Sequence, residues 1–272
     1  MSSVEPAAPP LFRVERATYR YAGGELGMSD VDLAIESGQR VVLLGANGCG
    51  KSTLLMVLDG LLFPQEGTVR ALGEPLTEAS LAVEAVNAAF RRQVGLVFQN
   101  AEAQLFSASV WEEIAFGPLH MGWEEGEVRR RVAEVIALFG LEEIQHRPPF
   151  RLSGGEKRKV ALASVLAVNP RVLLLDEPTG GLDPRSQRWV VDMLARLGAA
   201  GKTLITATHD LEVVEEIADR VVVFGEDHRP VAGGTPQEIL ADRDLLLHVN
   251  LIDPRFHRHA HGGDHRHYHS HS

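Results

Sequence analysis

Residues 45–53 read Gly-Ala-Asn-Gly-Cys-Gly-Lys-Ser-Thr, a match to G-x-x-x-x-G-K-[ST]. Glycines at this spacing let successive backbone N–H groups turn into one concavity, which suits phosphate oxygens. Lys51 offers a positive charge for the outer phosphates, and the Ser52 hydroxyl offers an oxygen for Mg²⁺. A second cluster, Asp176-Glu177, closes the apolar run Val172–Leu175 and is followed by Pro178. Carboxylates at the carboxyl end of a buried parallel strand sit where open α/β sheets bind ligands. Beside a phosphate cradle, Asp176 would hold Mg²⁺ through water, and Glu177 would orient or deprotonate an attacking water. A glycine-rich turn with no ligand and an acidic helix cap are the bland alternatives. The presence of both clusters in one sheet argues against them.

The surrounding elements must bring these groups together. Arg40–Leu44 reads as a buried strand running into the glycine motif, with helical spacing over Leu54–Leu62 behind it. Upstream, Leu11–Ile35 holds short apolar runs broken by Gly23-Gly24 and Gly27, as in strands joined by turns. Gly67–Leu72 reads as a strand and Ala79–Arg92 as a helix; Gln93–Phe98 is another strand, halted at Gln99-Asn100. Residues 100–165 then read as a mostly helical insertion into the α/β core. Within it Val128, Val132, Val135, Leu138 and Phe139 share one helical face, with Gly140 as the stop. After the run at Val172, Asp183-Pro184 opens a helix reaching Leu197, and Thr203–Thr208 is a strand delivering His209-Asp210. A helix over Leu211–Ala218, a hairpin from Val221–Phe224 and Pro230–Ala232, and a capping box at Thr235–Glu238 complete the pattern.

Composition narrows the classes. The 272 residues, 44% hydrophobic and 24% charged, suffice for a large core. A net charge of −10 argues against nucleic acid as a partner, which calls for a basic face. The single cysteine, Cys49, excludes an internal disulfide and fits a reducing compartment. No signal peptide is read at the start, and no apolar run reaches the ~20 residues needed to span a bilayer. The expected organisation is a disordered segment at 1–10, a nucleotide-binding domain at 11–253, and a histidine-rich tail at 254–272.

Further stations turn these motifs into a pattern. Gln99, Leu152-Ser-Gly-Gly-Glu156, Gly181-Leu182-Asp183 and His209 fall in order around the first two clusters. From about Leu11 to Leu251 the chain resembles the ABC-type ATPase subunits. The resemblance implies an α/β fold: a P-loop NTPase (RecA-like) core with an antiparallel β subdomain and an inserted α-helical subdomain. It implies ATP and Mg²⁺ as ligands, held by Gly45, Ala46, Asn47, Gly48, Cys49, Gly50, Lys51, Ser52 and Thr53. Tyr21 would stack on adenine, while Ser52, Gln99 and Asp176 would attend the Mg²⁺. Glu177, Gln99 and His209 would serve the attacking water and the γ-phosphate. Ser153, Gly154 and Gly155 would contact the γ-phosphate of ATP on a second ATPase subunit, identical or not, with Asp183 across the interface. Glu156 departs from the Gln usual in the family; with Ser153 it makes a capping box, and activity should survive the change.

Two features bear on the partner and the cargo. Residues 97–117 resemble the energy-coupling-factor importers, especially the cobalt/nickel branch. This implies a transmembrane coupling subunit, a membrane substrate-binding subunit, and a peripheral position at the cytoplasmic face of the cell membrane. Leu105, Phe106, Val110, Trp111 and Phe116 are candidates for the groove that receives the coupling helices. In the tail, His257, His259, His261, His265, His267, His269 and His271 fall mostly at alternate positions, and imidazole suits Ni²⁺, Co²⁺ and Zn²⁺. A soluble ABC ATPase, such as one serving iron–sulfur cluster assembly, shares every nucleotide motif; so does an importer ATPase for a vitamin. The segment after Gln99 and the tail favour metal import.

Overall fold

The structure, a computed structural model, describes residues 9–253 in full and only the backbone of 256–260 and 266–270. β1 (Phe12–Arg20) and β2 (Leu26–Ile35) form an antiparallel hairpin. The chain then leaves through β3 (Arg40–Leu44) and α1 (Lys51–Leu58) and returns as β4 (Glu66–Ala71) and β5 (Glu74–Pro75). The resulting four-stranded sheet has the order β2-β1-β4-β5. Phe12 and Val14 alternate with exposed Arg13 and Glu15, until a bulge at Arg16 (φ 46°) shifts the phase and turns Ala17 inward.

The second sheet carries the chemistry. α2 (Glu78–Leu81) and α3 (Glu84–Arg91) precede β6 (Val94–Val97). Between β6 and β7 (Val172–Asp176) lie the helices α4 (Ala101–Gln104), α5 (Val110–His120), α6 (Glu125–Phe139) and α7 (Gly154–Ala167). Then follow α8 (Pro184–Ala199), β8 (Thr203–Thr208), α9 (Leu211–Ile217), β9 (Arg220–Phe224), β10 (Pro230–Gly234), α10 (Pro236–Ala241) and α11 (Arg243–His248). The order is β10-β9-β3-β8-β7-β6, all parallel except for β10 at the edge.

Both faces of this sheet are buried, which explains the unbroken apolar runs in its strands. Val41, Leu43, Val172 and Leu174 point into a core shared with the antiparallel sheet and α1. Val42, Leu44, Leu173 and Leu175 point into a second core built with the helices after β6. The alternation of strand side chains thus assigns neighbouring residues to different cores.

Several elements differ from the sequence reading. The helix expected over Ala79–Arg92 is broken: Thr77 and Ser80 close a capping box around α2, and Val83 is extended (ψ 112°) before α3 begins. Tertiary packing sets this break, with Leu81 and Phe90 both turned to the first core. α1 stops at Leu58, not Leu62, because Gly60 adopts the left-handed conformation (φ 68°). Gly140 ends α6 as expected, but Leu138 lies 58% exposed while Val128, Val132, Val135 and Phe139 are buried. In the tail, β11 (Phe256–Ala260) and β12 (Arg266–Ser270) pair antiparallel, with His257 opposite His269 and His259 opposite His267. His261, His265 and His271 lie outside the described residues.

Candidate functional site

Each chemical group sits at the carboxyl end of a different strand of the parallel sheet. β3 leads into the glycine loop, β7 ends in Asp176 with Glu177 next, β8 delivers His209, and β6 runs into Gln99. This is the edge at which such sheets bind ligands. A cleft of about 350 Å³ opens there, lined by Tyr21, Asn47, Gly48, Gly50, Lys51, Ser52, Thr53, Gln99 and Glu177, together with Glu25, Leu26, Gly27 and His228.

The loop from Gly45 to Gly50 is shaped by left-handed glycines. Gly48 has φ 83° and Gly50 φ 105°, and a Cβ on Gly50 would lie 2.5 Å from the Gly27 carbonyl oxygen. Only glycine fits there, and the N–H groups that follow open α1. The Lys51 ammonium, on a residue only 5% exposed, donates to the carbonyls of Gly45 (2.8 Å) and Ala46 (2.9 Å). Cys49 is buried, and burial pushes its thiol above the usual range, so it acts as filler in the loop. Ala46 and Thr53 complete the loop, and the Tyr21 hydroxyl lies 2.9 Å from Thr53 Oγ1. Tyr21 opens the turn between β1 and β2 and stands edge-on to Tyr19, with ring centroids 5.1 Å apart.

Ser52 Oγ donates to Asp176 Oδ1 at 2.9 Å, which sets a hydroxyl beside a carboxylate. Hard oxygen donors of this kind fit Mg²⁺, which keeps several waters and takes one or two protein ligands. Burial holds the Asp176 carboxyl above its ordinary range; the Ser52 hydroxyl opposes this, and the charge on Glu177 reinforces it. Gln99 lines the same cleft, while its backbone carbonyl is held by Arg158.

Glu177 is 4% exposed and has φ 44°, a sparsely populated backbone for a non-glycine residue. Its N–H donates to the Ala207 carbonyl (2.9 Å), and its Oε2 accepts from Thr208 Oγ1 (3.2 Å). Oε1 lies 2.8 Å from His209 Nδ1, so carboxylate and imidazole form one unit. An ionised Glu177 makes Nδ1 the protonated nitrogen and leaves Nε2 for a further partner.

Ser153, Gly154 and Gly155 are not brought to this cleft. They open α7, where Ser153 Oγ caps the Glu156 N–H at 3.4 Å and Glu156 Oε2 accepts from the Ser153 N–H at 2.8 Å. The capping box read from the sequence is therefore present. The Ser153 backbone bond holds the Glu156 carboxyl below its ordinary range. Asp183 caps α8 beside them, accepting from Ser186 N (3.1 Å) and Ser186 Oγ (2.6 Å), and a Cβ on Gly155 would meet Ser186 Oγ at 2.5 Å. Glu156→Ala will lower stability by about 1 kcal/mol through loss of the reciprocal cap, whereas Glu156→Gln will keep it. Urea unfolding of the two variants measures this, and equal midpoints would remove the capping role.

Other candidates divide. Phe106 (67% exposed) and Phe116 (47%) stand on the surface of the helical region, with ring centroids 4.9 Å apart. Leu105 and Trp111 are half-buried, and Val110 is fully buried in the second core, where a groove cannot reach it. Sequence reading missed Glu25, Leu26, Gly27 and His228. His228 belongs to the β9–β10 turn and reaches the Gly27 carbonyl (3.3 Å), a meeting of two distant loops that no local pattern signals. Among the described residues no helix is long and apolar enough to cross a membrane, and no cluster of metal-binding side chains occurs.

Comparisons with known proteins point the same way. A model of the ABC transporter family matches residues 28–180. A nickel import ATP-binding protein from Rhodobacter capsulatus is 50% identical, over 89% of this chain and 96% of that protein. A cobalt import ATP-binding protein from the same organism is 43% identical, over 90% of this chain and 86% of that protein. Among solved structures, CbiO1 from Clostridium perfringens, part of the transporter complex CbiONQ, superposes with a TM-score of 0.76. It shares 35% identity and covers 91% of this chain and 97% of that one.

Proposed function

We infer the function of this chain from its membership of the ABC transporter family: it binds and hydrolyses ATP to energise a membrane importer, and its cargo is nickel or cobalt. The observation that carries the mechanism is the unit formed by Glu177 and His209 beside Ser52 and Asp176, at one edge of the sheet. Gly45–Thr53 would wrap the phosphates, Lys51 would turn from its loop carbonyls to the β- and γ-oxygens, and Tyr21 would support the base. Ser52, Asp176 and Gln99 would hold Mg²⁺, which when bound neutralises charge on the phosphates. Glu177 would take the proton of the attacking water, with Thr208 and His209 fixing its carboxylate and His209 free to touch the γ-phosphate.

Ser153–Gly155 lie apart from the cleft in which Lys51 and Glu177 meet. This supports a second ATPase subunit, whose ATP they would contact through the N-terminus of α7. The membrane side of the assembly would dock on the helical region. There a cavity of about 300 Å³ is lined by Glu102, Leu105, Pro149, Lys157 and the 76% exposed Phe150, and Phe106 and Phe116 are further exposed aromatics of the same region. Coupling helices of a transmembrane subunit would fill it from the cytoplasmic face, with a separate membrane subunit binding the cargo. Loss of the gene should abolish high-affinity nickel or cobalt uptake, restored by the wild-type gene but not by Glu177→Gln. Intact metal uptake with lost vitamin uptake, or no transport defect at all, would refute this reading.

The tail supports a local role in metal handling. Seven histidines lie between 257 and 271, and the backbone register sets two histidine positions opposite two others. Deletion of 254–272 will leave ATPase activity unchanged and remove Ni²⁺ or Zn²⁺ retention measured by equilibrium dialysis. Retention equal to that of the full chain would remove this role.

A further inference from the structure

We propose that Arg158 is a positioning residue that fastens the Gln99 loop to α7, so that loop and helix move as one body. The inference rests on the ATPase reading for its kinetic consequence, but not for the tie itself. Arg158 is only 4% exposed. One guanidinium nitrogen donates to the Phe98 carbonyl at 2.8 Å, and another donates to the Gln99 carbonyl at 2.6 Å. Its Nε is buried without a hydrogen-bond partner, and among the described residues no carboxylate pairs with it at ion-pair distance. Burying a guanidinium without an acid is costly. Here the charge is used to grip backbone at the end of β6.

The neighbouring residue strengthens the grip from the solvent side. Lys157 pairs with Glu102, and Glu102 belongs to α4, whose first turn is capped by Asn100. Residues 98–104 are therefore held to α7 at their start by Arg158 and in their helix by Lys157. Arg158 lies four residues after Gly154 and so shares its helical face, one turn from the helix end that would meet the partner's nucleotide. On the other side, Glu102 and Lys157 line the cavity proposed to receive the membrane subunit. A push on that cavity would reach Gln99 through this two-residue latch. The planar fork matters, since a lysine ammonium does not reproduce the paired geometry.

Two variants of the full chain test this, Arg158→Met and Arg158→Lys, with amide hydrogen exchange read by mass spectrometry and steady-state ATP hydrolysis read in parallel. Exchange should accelerate across 98–104 in both variants while the strands of the parallel sheet keep wild-type protection. kcat should fall about tenfold or more with KM for ATP within about threefold, because lost orientation alone can cost about a hundredfold. Arg158→Lys should restore the melting temperature without restoring kcat. Unchanged exchange over 98–104 in the folded Lys variant would overturn the tie, as would a fall in kcat that tracks melting alone. If the wild type hydrolyses no ATP, the functional reading fails, and the exchange arm still decides the tie.

Discussion

Glu177→Gln will bind ATP with near wild-type affinity and hydrolyse it about 10²–10⁴-fold more slowly, the range that a positioned general base contributes. The substitution keeps shape. Its amide oxygen can still accept from Thr208 Oγ1, and the residue remains held at φ 44° by its N–H bond to Ala207. What it loses is the negative charge that makes Oε1 basic and fixes the His209 Nδ1 proton. Binding survives because the phosphate cradle and the Ser52–Asp176 pair are untouched. With hydrolysis blocked, ATP should hold two ATPase subunits together through the α7 N-termini, visible as a dimer by size-exclusion chromatography with light scattering. Wild-type turnover in this variant would refute the role assigned to Glu177. A monomer with ATP bound would instead remove the role assigned to Ser153–Gly155.

Lys51→Ala separates binding from chemistry. The ammonium is the positive side chain in the lining of the cleft at the glycine loop, and its bonds to Gly45 and Ala46 hold it at the mouth of the cradle. Hydrogen bonds to charged groups contribute about 1.5–3 kcal/mol each, so losing two to phosphate oxygens weakens ATP binding by at least about a hundredfold. Isothermal titration with ATP and Mg²⁺ measures this. The fold should persist, since Lys51 bonds only to its own loop. A Kd within about threefold of wild type would show that the backbone N–H groups carry the affinity without it.

How much of this was legible depended on how local each feature is. The glycine loop declares itself within nine residues, and Asp176-Glu177 is marked by the apolar strand it ends. The parallel core followed from buried runs such as Val41–Leu44, whose alternate residues serve two different cores. Arg158 could not be read. Within Lys157-Arg158-Lys159 it resembles a solvated helix face, and only the three-dimensional approach of β6 shows it buried. His228 and Gly27 escaped because they meet across 201 residues. Val110 was misplaced for a related reason: an apolar residue at a helix start has the same pattern whether a partner or the protein's own core covers it. The broken α2–α3 segment has no Gly or Pro to announce it.

The strand that feeds the glycine loop has its two neighbours far along the chain. β3 (Arg40–Leu44) pairs with β8 (Thr203–Thr208) on one side and with β9 (Arg220–Phe224) on the other. On a ribosome, β3 is made early and waits for about three-fifths of the chain before either neighbour exists. Closing such long loops slows folding and leaves an apolar strand exposed meanwhile. The antiparallel sheet, whose strands all lie before residue 76, can form first. A nascent chain would then hold its glycine motif without the sheet that orients it, so the ability to bind nucleotide arrives only near the end of synthesis.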